Sequence, residues 1–145
     1  MTEALGEYCA LVSAISGVSL KQSLAMTGSL NQNGEIQAVG GVNAKIEGFY
    51  EICRRRGLTG HQGVIIPKSN VQSLMLSPVV VQATRDGKFH VWPVERVEEA
   101  ISLLSDIPVG ERDASGAFPD GSINARIETR LRSFHEIRRR LHDRS

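Results

Sequence analysis

The sequence predicts an α+β domain in which helices and strands alternate over residues 3–104. Three observations lead to this prediction. Apolar residues recur at helical spacing near the amino terminus, a continuous apolar run closed by proline lies near the middle, and glycine-containing turns separate the shorter apolar segments. The alternation is also compatible with an α/β arrangement. We expect the domain to occupy residues 1–105, a linker or arm 106–121, and a basic amphipathic helix 122–145.

The first helix is predicted over residues 3–16, with Gly17 as its carboxyl-terminal cap. A strand is predicted over residues 20–27. The sequence Asn-Gln-Asn-Gly at 31–34 indicates a turn, because Asn and Gly tolerate positive φ. Residues 36–39 then resume an extended pattern.

A second helix is predicted to begin at Val42, directly after two glycines, and to end in three arginines before Gly57. This helix carries Lys45 in its first turns. Its apolar stripe is predicted to be Val42, Ile46, Phe49 and Cys53. A lysine beside a buried stripe can lose hydration, and desolvation lowers the pKa of a lysine. We therefore expect Lys45 to be partly dehydrated and able to act as a general base.

The second half of the domain continues the alternation. Residues 63–67 are predicted to form a strand buried on both faces, and residues 70–76 a short helix. Residues 78–85 suit a helix, but their valines suit a strand as well. A strand over 88–94 and a helix over 95–104 follow. The inward residues of that helix are predicted to be Val97, Ala100, Ile101 and Leu104.

Composition limits the classes of function. The 145 residues carry a formal net charge of +1, so no strong overall attraction to nucleic acid or membrane is expected. Cys9 and Cys53 are predicted to be buried thiols. The histidines lack metal-ligand spacing, and the sequence has no phosphate-binding P-loop. No leader or apolar run of about 18 residues is present, so a cytoplasmic protein without a membrane segment is expected. The four histidines are His61, His90, His135 and His142.

The tail is predicted to form one amphipathic helix over residues 122–143, with Ser122 as its amino-terminal cap. Residues 122–145 contain seven arginines and three acidic residues, which give the tail a net charge of about +4. The tail could pack on its own domain with a solvated charged face, pair with a neighbouring subunit, or contact nucleic acid. Its apolar residues are Ile123, Ile127, Leu131, Phe134, Ile137 and Leu141.

The stretch that begins at Ala25, AMTGSLNQNGEIQAVGGVNAKIEGFYEICRRRGLTGHQGVIIP, resembles the proteolytic domain of Lon-family ATP-dependent serine proteases. The FHVW strand and the tail GAFPDGSINARIETRLRSF extend this resemblance to the Lon-like bacterial branch. The resemblance implies that Lys45 is the lysine of a Ser-Lys dyad and that Thr27 supports it by hydrogen bonding. It also implies a fold related to the second domain of ribosomal protein S5.

The resemblance has further implications for partners and cofactors. Members of the family form hexameric rings and degrade unfolded or damaged proteins. No cofactor is expected in this chain, because ATP and Mg²⁺ bind a separate ATPase domain in the family.

The family nucleophile lies in a Gly-Asp-Ser-Ala-Ser or Gly-Pro-Ser-Ala-Gly motif before the first helix, and neither motif is present. An ungapped count back from Lys45 places the serine position at about Thr2, and a small insertion around residues 4–6 would place it upstream of Met1. Thr2 is β-branched and lacks the preceding loop, so it is a poor nucleophile. Ser13 and Ser16 lie on a helix and are interpreted as structural.

We therefore expect a proteolytic-domain fragment that lacks its amino-terminal part and has little or no peptidase activity. The alternative is a noncatalytic assembly or nucleic-acid-binding module derived from that domain.

Overall fold

The computed structural model describes residues 3–144, and side chains from Leu5 onward. Thr2 lies outside the described residues. Residues 3–8 and 21–100 form one compact unit, and residues 9–20 and 101–144 form a second.

Helices combine with a small parallel and a small antiparallel sheet, in agreement with the predicted α+β class. In chain order the elements are β1 (Glu3–Ala4), α1 (Leu5–Ser16), β2 (Leu24–Met26), β3 (Ser29–Leu30), β4 (Ile36–Gln37), α2 (Val42–Arg56), β5 (Gly63–Pro67), a 3₁₀ helix (Lys68–Ser73), α3 (Pro78–Arg85), β6 (His90–Val94), α4 (Val97–Ser105) and α5 (Ile123–Asp143).

The parallel sheet of the first unit has the order β2-β5-β6. Its central strand β5 is buried at all five residues, which confirms the prediction of a strand covered on both faces. Ile65 on β5 pairs with Met26 on β2 and with Trp92 on β6. Because the strands are parallel, the carboxyl ends of β2 and β5 meet at the same edge of the sheet.

The antiparallel sheet has the order β1-β3-β4. The turn predicted at 31–34 joins β3 to β4. The side-chain oxygen Oδ1 of Asn31 accepts hydrogen bonds from the backbone N–H groups of Asn33 and Glu35 at 2.9 and 3.0 Å. An asparagine that bonds the backbone two residues ahead stabilises such a turn locally.

The apolar face of α2 packs in the main core of the first unit, beside β5 and α3. Its buried residues are Val42, Ile46, Tyr50 and Cys53. Three of the four predicted stripe residues are buried, and Phe49 packs against this core while half-buried. A strict step of four residues from Ile46 reaches position 50 instead. The ring of Tyr50 meets the fully buried ring of Phe89 edge-on, with the centroids 5.3 Å apart.

Other elements differ from the predictions mainly in length. Strand β2 begins at Leu24 rather than at residue 20, and the short helix predicted over 70–76 is a 3₁₀ helix over Lys68–Ser73. The segment that suited either a helix or a strand is the helix α3, which opens with Pro78. A proline suits the first position of a helix because its missing N–H would have no partner there. The predicted inward residues of α4 are all buried.

In the second unit, residues 106–122 form no helix or strand and lead into α5. Ser122 caps this helix, since its Oγ accepts a hydrogen bond from the Ala125 N–H at 3.2 Å. The backbone N–H groups of Ile123 and Asn124 donate to the carbonyls of Pro108 and Val109, each at 3.0 Å. The start of α5 is therefore fixed to the preceding segment. Within residues 3–144, no helix is both long and apolar enough to cross a membrane.

Candidate active site

Lys45 lies in the first turn of α2, where the backbone geometry is tightly specified. The residue before the helix, Gly41, has φ 74°, a conformation that side chains disfavour. The Lys45 N–H donates to the Gly41 carbonyl at 3.1 Å, which closes the first turn. The glycine pair thus allows the chain to leave an extended segment and enter the helix sharply, with Lys45 directly behind the bend.

The Lys45 side chain is exposed, so the expected partial dehydration is absent in this chain. Residues three and four positions away along a helix are the nearest surface neighbours. Two of those neighbours, Gly41 and Gly48, are exposed and have no side chain with which to cover the amine. Within residues 3–144, no hydrogen bond or ion pair engages the Lys45 amine. The amine is therefore available to an incoming group.

Thr27 follows the last residue of β2, at the edge where β2 and β5 both end. Its N–H donates to the Ile65 carbonyl at 3.0 Å, and its side chain is half-buried. The next residue, Gly28, has φ 151°, and its carbonyl accepts a hydrogen bond from the Leu5 N–H at 3.2 Å. This bond places the first residue of α1 beside the Thr27–Gly28 strand end.

The side chain of Asn70 holds the bend before α2 by hydrogen bonds, a role that the sequence analysis missed. It is one of two buried polar residues in the part of the chain described, with 8% of its surface exposed. Its Oδ1 accepts from the Val39 N–H at 3.1 Å, and its Nδ2 donates to the Val39 carbonyl at 2.9 Å. The amide thus pairs with both backbone groups of Val39. The partners are 31 residues apart, and no local sequence pattern indicates such a contact.

Two side chains of α2 fix the segment that follows the 3₁₀ helix. Asn43 donates to the Ser73 carbonyl at 3.2 Å and accepts from the Met75 N–H at 2.8 Å. Glu47 accepts from the Ser77 N–H at 2.7 Å. Asn43 and Glu47 lie four positions apart and share one face of α2, so these bonds fix that face to the segment, while Lys45 lies on another face.

The remaining candidate residues have structural roles. The Ser13 Oγ donates to the Val18 carbonyl at 2.6 Å, and the Ser16 Oγ donates to the Val12 carbonyl at 2.7 Å, as the structural interpretation predicted. Cys9 is buried, and burial raises the pKa of its thiol to about 11, which makes it a poor nucleophile. Within residues 3–144, no cluster of His, Cys, Asp and Glu could hold a metal ion.

Comparison with known proteins identifies the family. The profile of the Lon protease (S16) C-terminal proteolytic domain matches residues 4–105, well over half of the chain. The chain belongs to the Lon protease family. It is 50% identical over 103 residues to a Lon protease homologue of Escherichia coli (strain K12), a match that covers 71% of this chain and 18% of that protein.

Two further Lon relatives match a similar length of the chain. Identity is 52% over 100 residues to a Lon protease homologue of Haemophilus influenzae, covering 69% of this chain and 17% of that protein. Identity is 41% over 98 residues to the archaeal Lon protease of Archaeoglobus fulgidus, covering 67% and 14%. The chain thus spans less than a fifth of these Lon relatives. Helix α5 lies beyond the span that the Lon profile matches.

Proposed function

We propose that this chain forms the lysine-bearing part of a Lon-type Ser-Lys peptidase site. In this proposal Lys45 is the general base, and Thr27 is a supporting hydrogen-bonding group. The observation that supports it most directly is the position of Lys45, which has a free amine on a fixed first turn in a chain of the Lon family.

The chemistry requires a neutral amine beside a hydroxyl group. A neutral amine at Lys45 would take the proton of a serine hydroxyl, and the serine oxygen would attack the carbonyl carbon of a peptide bond. Backbone N–H groups would then stabilise the oxyanion. No serine within residues 3–144 hydrogen-bonds the Lys45 amine. We propose that a segment outside residues 3–144 supplies the nucleophile, as the family resemblance implies.

The same outside segment would also remove water from around the Lys45 amine. An exposed amine keeps its water shell, whereas burial disfavours the charged form of an amine. A segment packed over the start of α2 would remove that water and bring the serine within reach in one step. The bond from the Leu5 N–H to the Gly28 carbonyl supports this arrangement, because it holds the start of α1 beside Thr27. Alone, the chain is proposed to have little or no peptidase activity.

The wider setting is proposed from family membership. The complete site would degrade unfolded or damaged proteins as part of a hexameric ring, in the cytoplasm, with ATP hydrolysed by a separate domain. The proteolytic unit would share the fold of the second domain of ribosomal protein S5. Of these activities, residues 3–104 would contribute only to the hydrolysis of peptide bonds.

The test compares the chain alone with the chain fused behind a segment that carries Gly-Asp-Ser-Ala-Ser. Release of dye from a fluorogenic peptide is expected only from the fusion. Lys45→Met should lower the rate by about a hundredfold or more, the usual contribution of a general base. Lys88→Met removes another exposed lysine and should leave the rate unchanged. Thr27→Val should slow the reaction more than Thr27→Ser, which keeps the hydroxyl.

Two results would contradict the proposal in different ways. Dye released by the chain alone and lost in Lys45→Ala would place the nucleophile within these residues. A fusion whose rate survives Lys45→Met would show that Lys45 is not the base.

A further inference from the structure

Helix α5 carries an uncovered apolar face along its carboxyl-terminal half. Its first residue, Ile123, is buried, and the helix start is held by the hydrogen bonds to Pro108 and Val109. Beyond that point the large apolar side chains face solvent. The apolar face of α5 consists of Leu131, Phe134, Ile137 and Leu141, which are 51%, 46%, 51% and 65% exposed.

Two cationic side chains lie within this apolar face. Arg130 and Arg138 lie four residues before and four residues after Phe134, so all three share one side of the helix. The Arg130 guanidinium lies over the Phe134 ring, 5.0 Å from its centroid. No Asp or Glu lies three or four positions from either arginine. The two guanidinium groups at the apolar face therefore have no carboxylate partner along α5.

The acidic residues of α5 lie on the opposite side of the helix. Glu128 and Arg132 form an ion pair at 2.6 Å there. Arg139 likewise has Glu136 three positions before it and Asp143 four positions after it. All three carboxylates of α5 are thus arranged to balance arginines on the polar side. Charge is segregated, and the apolar face carries positive charge alone.

The distribution of apolar and charged side chains on α5 disfavours several kinds of binding partner. A second copy of α5 would bring like charges together along the contact, which is destabilising. Nucleic acid would satisfy the arginines but offers no surface for four aliphatic and aromatic side chains. A bilayer is disfavoured because the apolar face extends over only about 15 Å of helix, and membrane affinity scales with buried apolar area.

We infer that the apolar face of α5 binds an acidic amphipathic helix of a partner polypeptide. Leu131, Phe134 and Ile137 pack against the apolar side of that helix, in the manner of a helix seated in a groove. The Arg130 and Arg138 guanidinium groups pair with carboxylates on its border. Arginine suits this role because its planar fork matches a carboxylate with two parallel hydrogen bonds. The contact is independent of the proposed peptidase site.

The experiment uses the full 145-residue chain and a fluorescein-labelled synthetic helix of 21 residues. The probe has Leu along one face and Glu on both borders, and a matched probe has Lys in place of Glu. Fluorescence anisotropy should show saturable binding of the Glu probe and none of the Lys probe. Arg130→Gln with Arg138→Gln should weaken binding at least fivefold. Arg132→Gln with Arg139→Gln removes the same charge from the opposite side and should change binding less than twofold.

A second pair of variants tests the apolar contribution. Leu131→Ser with Ile137→Ser should weaken binding at least tenfold, with helical content confirmed by circular dichroism. Both side chains are half-exposed, so their replacement leaves the buried residues of the unit intact.

Several outcomes would overturn the inference. Equal weakening by the two arginine pairs would reduce the effect to net charge. Binding of the chain to phosphatidylglycerol vesicles or to duplex DNA, with no binding of the Glu probe, would assign the face to a lipid surface or to nucleic acid. A dimer in sedimentation equilibrium that Leu131→Ser with Ile137→Ser abolishes would assign it to a second copy.

Discussion

Replacement of Asn70 by alanine tests whether the bend before Lys45 is held by a single buried amide. The change removes both hydrogen bonds to Val39, at 3.1 and 2.9 Å, from a side chain that is 8% exposed. Each hydrogen bond contributes about 1 kcal/mol net, and a buried group left unpaired costs more. We therefore expect Asn70→Ala to lower the free energy of unfolding by about 2 kcal/mol. Urea unfolding followed by circular dichroism gives the value.

Asn43→Ala is the matched control for this prediction. Asn43 also bridges two backbone groups through its amide, those of Ser73 and Met75, but these bonds are exposed to solvent. Water can replace them, so the expected loss is about 0.5 kcal/mol. Hydrogen exchange of the Val39 amide should accelerate in Asn70→Ala alone. Equal losses in the two variants, or an unchanged Val39 amide, would refute the claim that Asn70 fixes the bend.

Three further predictions concern other positions. Gly28→Ala should destabilise the protein by about 2 kcal/mol, because φ 151° is strained for alanine and the added Cβ would lie 3.1 Å from Ile36 Cγ2. Gly48→Ala, inside α2 with no atom within 4 Å of its added Cβ, should instead stabilise it by about 1 kcal/mol in the same unfolding assay. The folded chain holds the Cys9 proton up to a pKa of about 11, against 9.0 without burial, so stability should fall as pH rises from 9 to 11. Cys9→Ala should lose this part of the pH dependence, and an unchanged profile would contradict it.

Local patterns predicted much of the fold. The buried run of β5, the turn at Asn31 and the inward residues of α4 all follow from apolar spacing and turn chemistry, which act over a few residues. The exact lengths of strands did not follow, since the ends of β2 depend on pairing with β5, nearly 40 residues later. Asn70 shows the same limit at the site. Its contact with Val39 depends on how distant segments meet, which the sequence around residue 70 does not encode.

The sequence analysis expected this chain to supply both the position of Lys45 and its cover from water. The backbone position of Lys45 is specified within this chain, because Gly41, Asn70 and the first turn of α2 fix where its Cα lies. Cover from water is not, because the Lys45 side chain is exposed and no hydrogen bond or ion pair within residues 3–144 engages its amine. In the site proposed above, another segment would supply this cover together with the nucleophile. The isolated chain would then lack peptidase activity, since the segment that supplies the nucleophile would also cover the lysine.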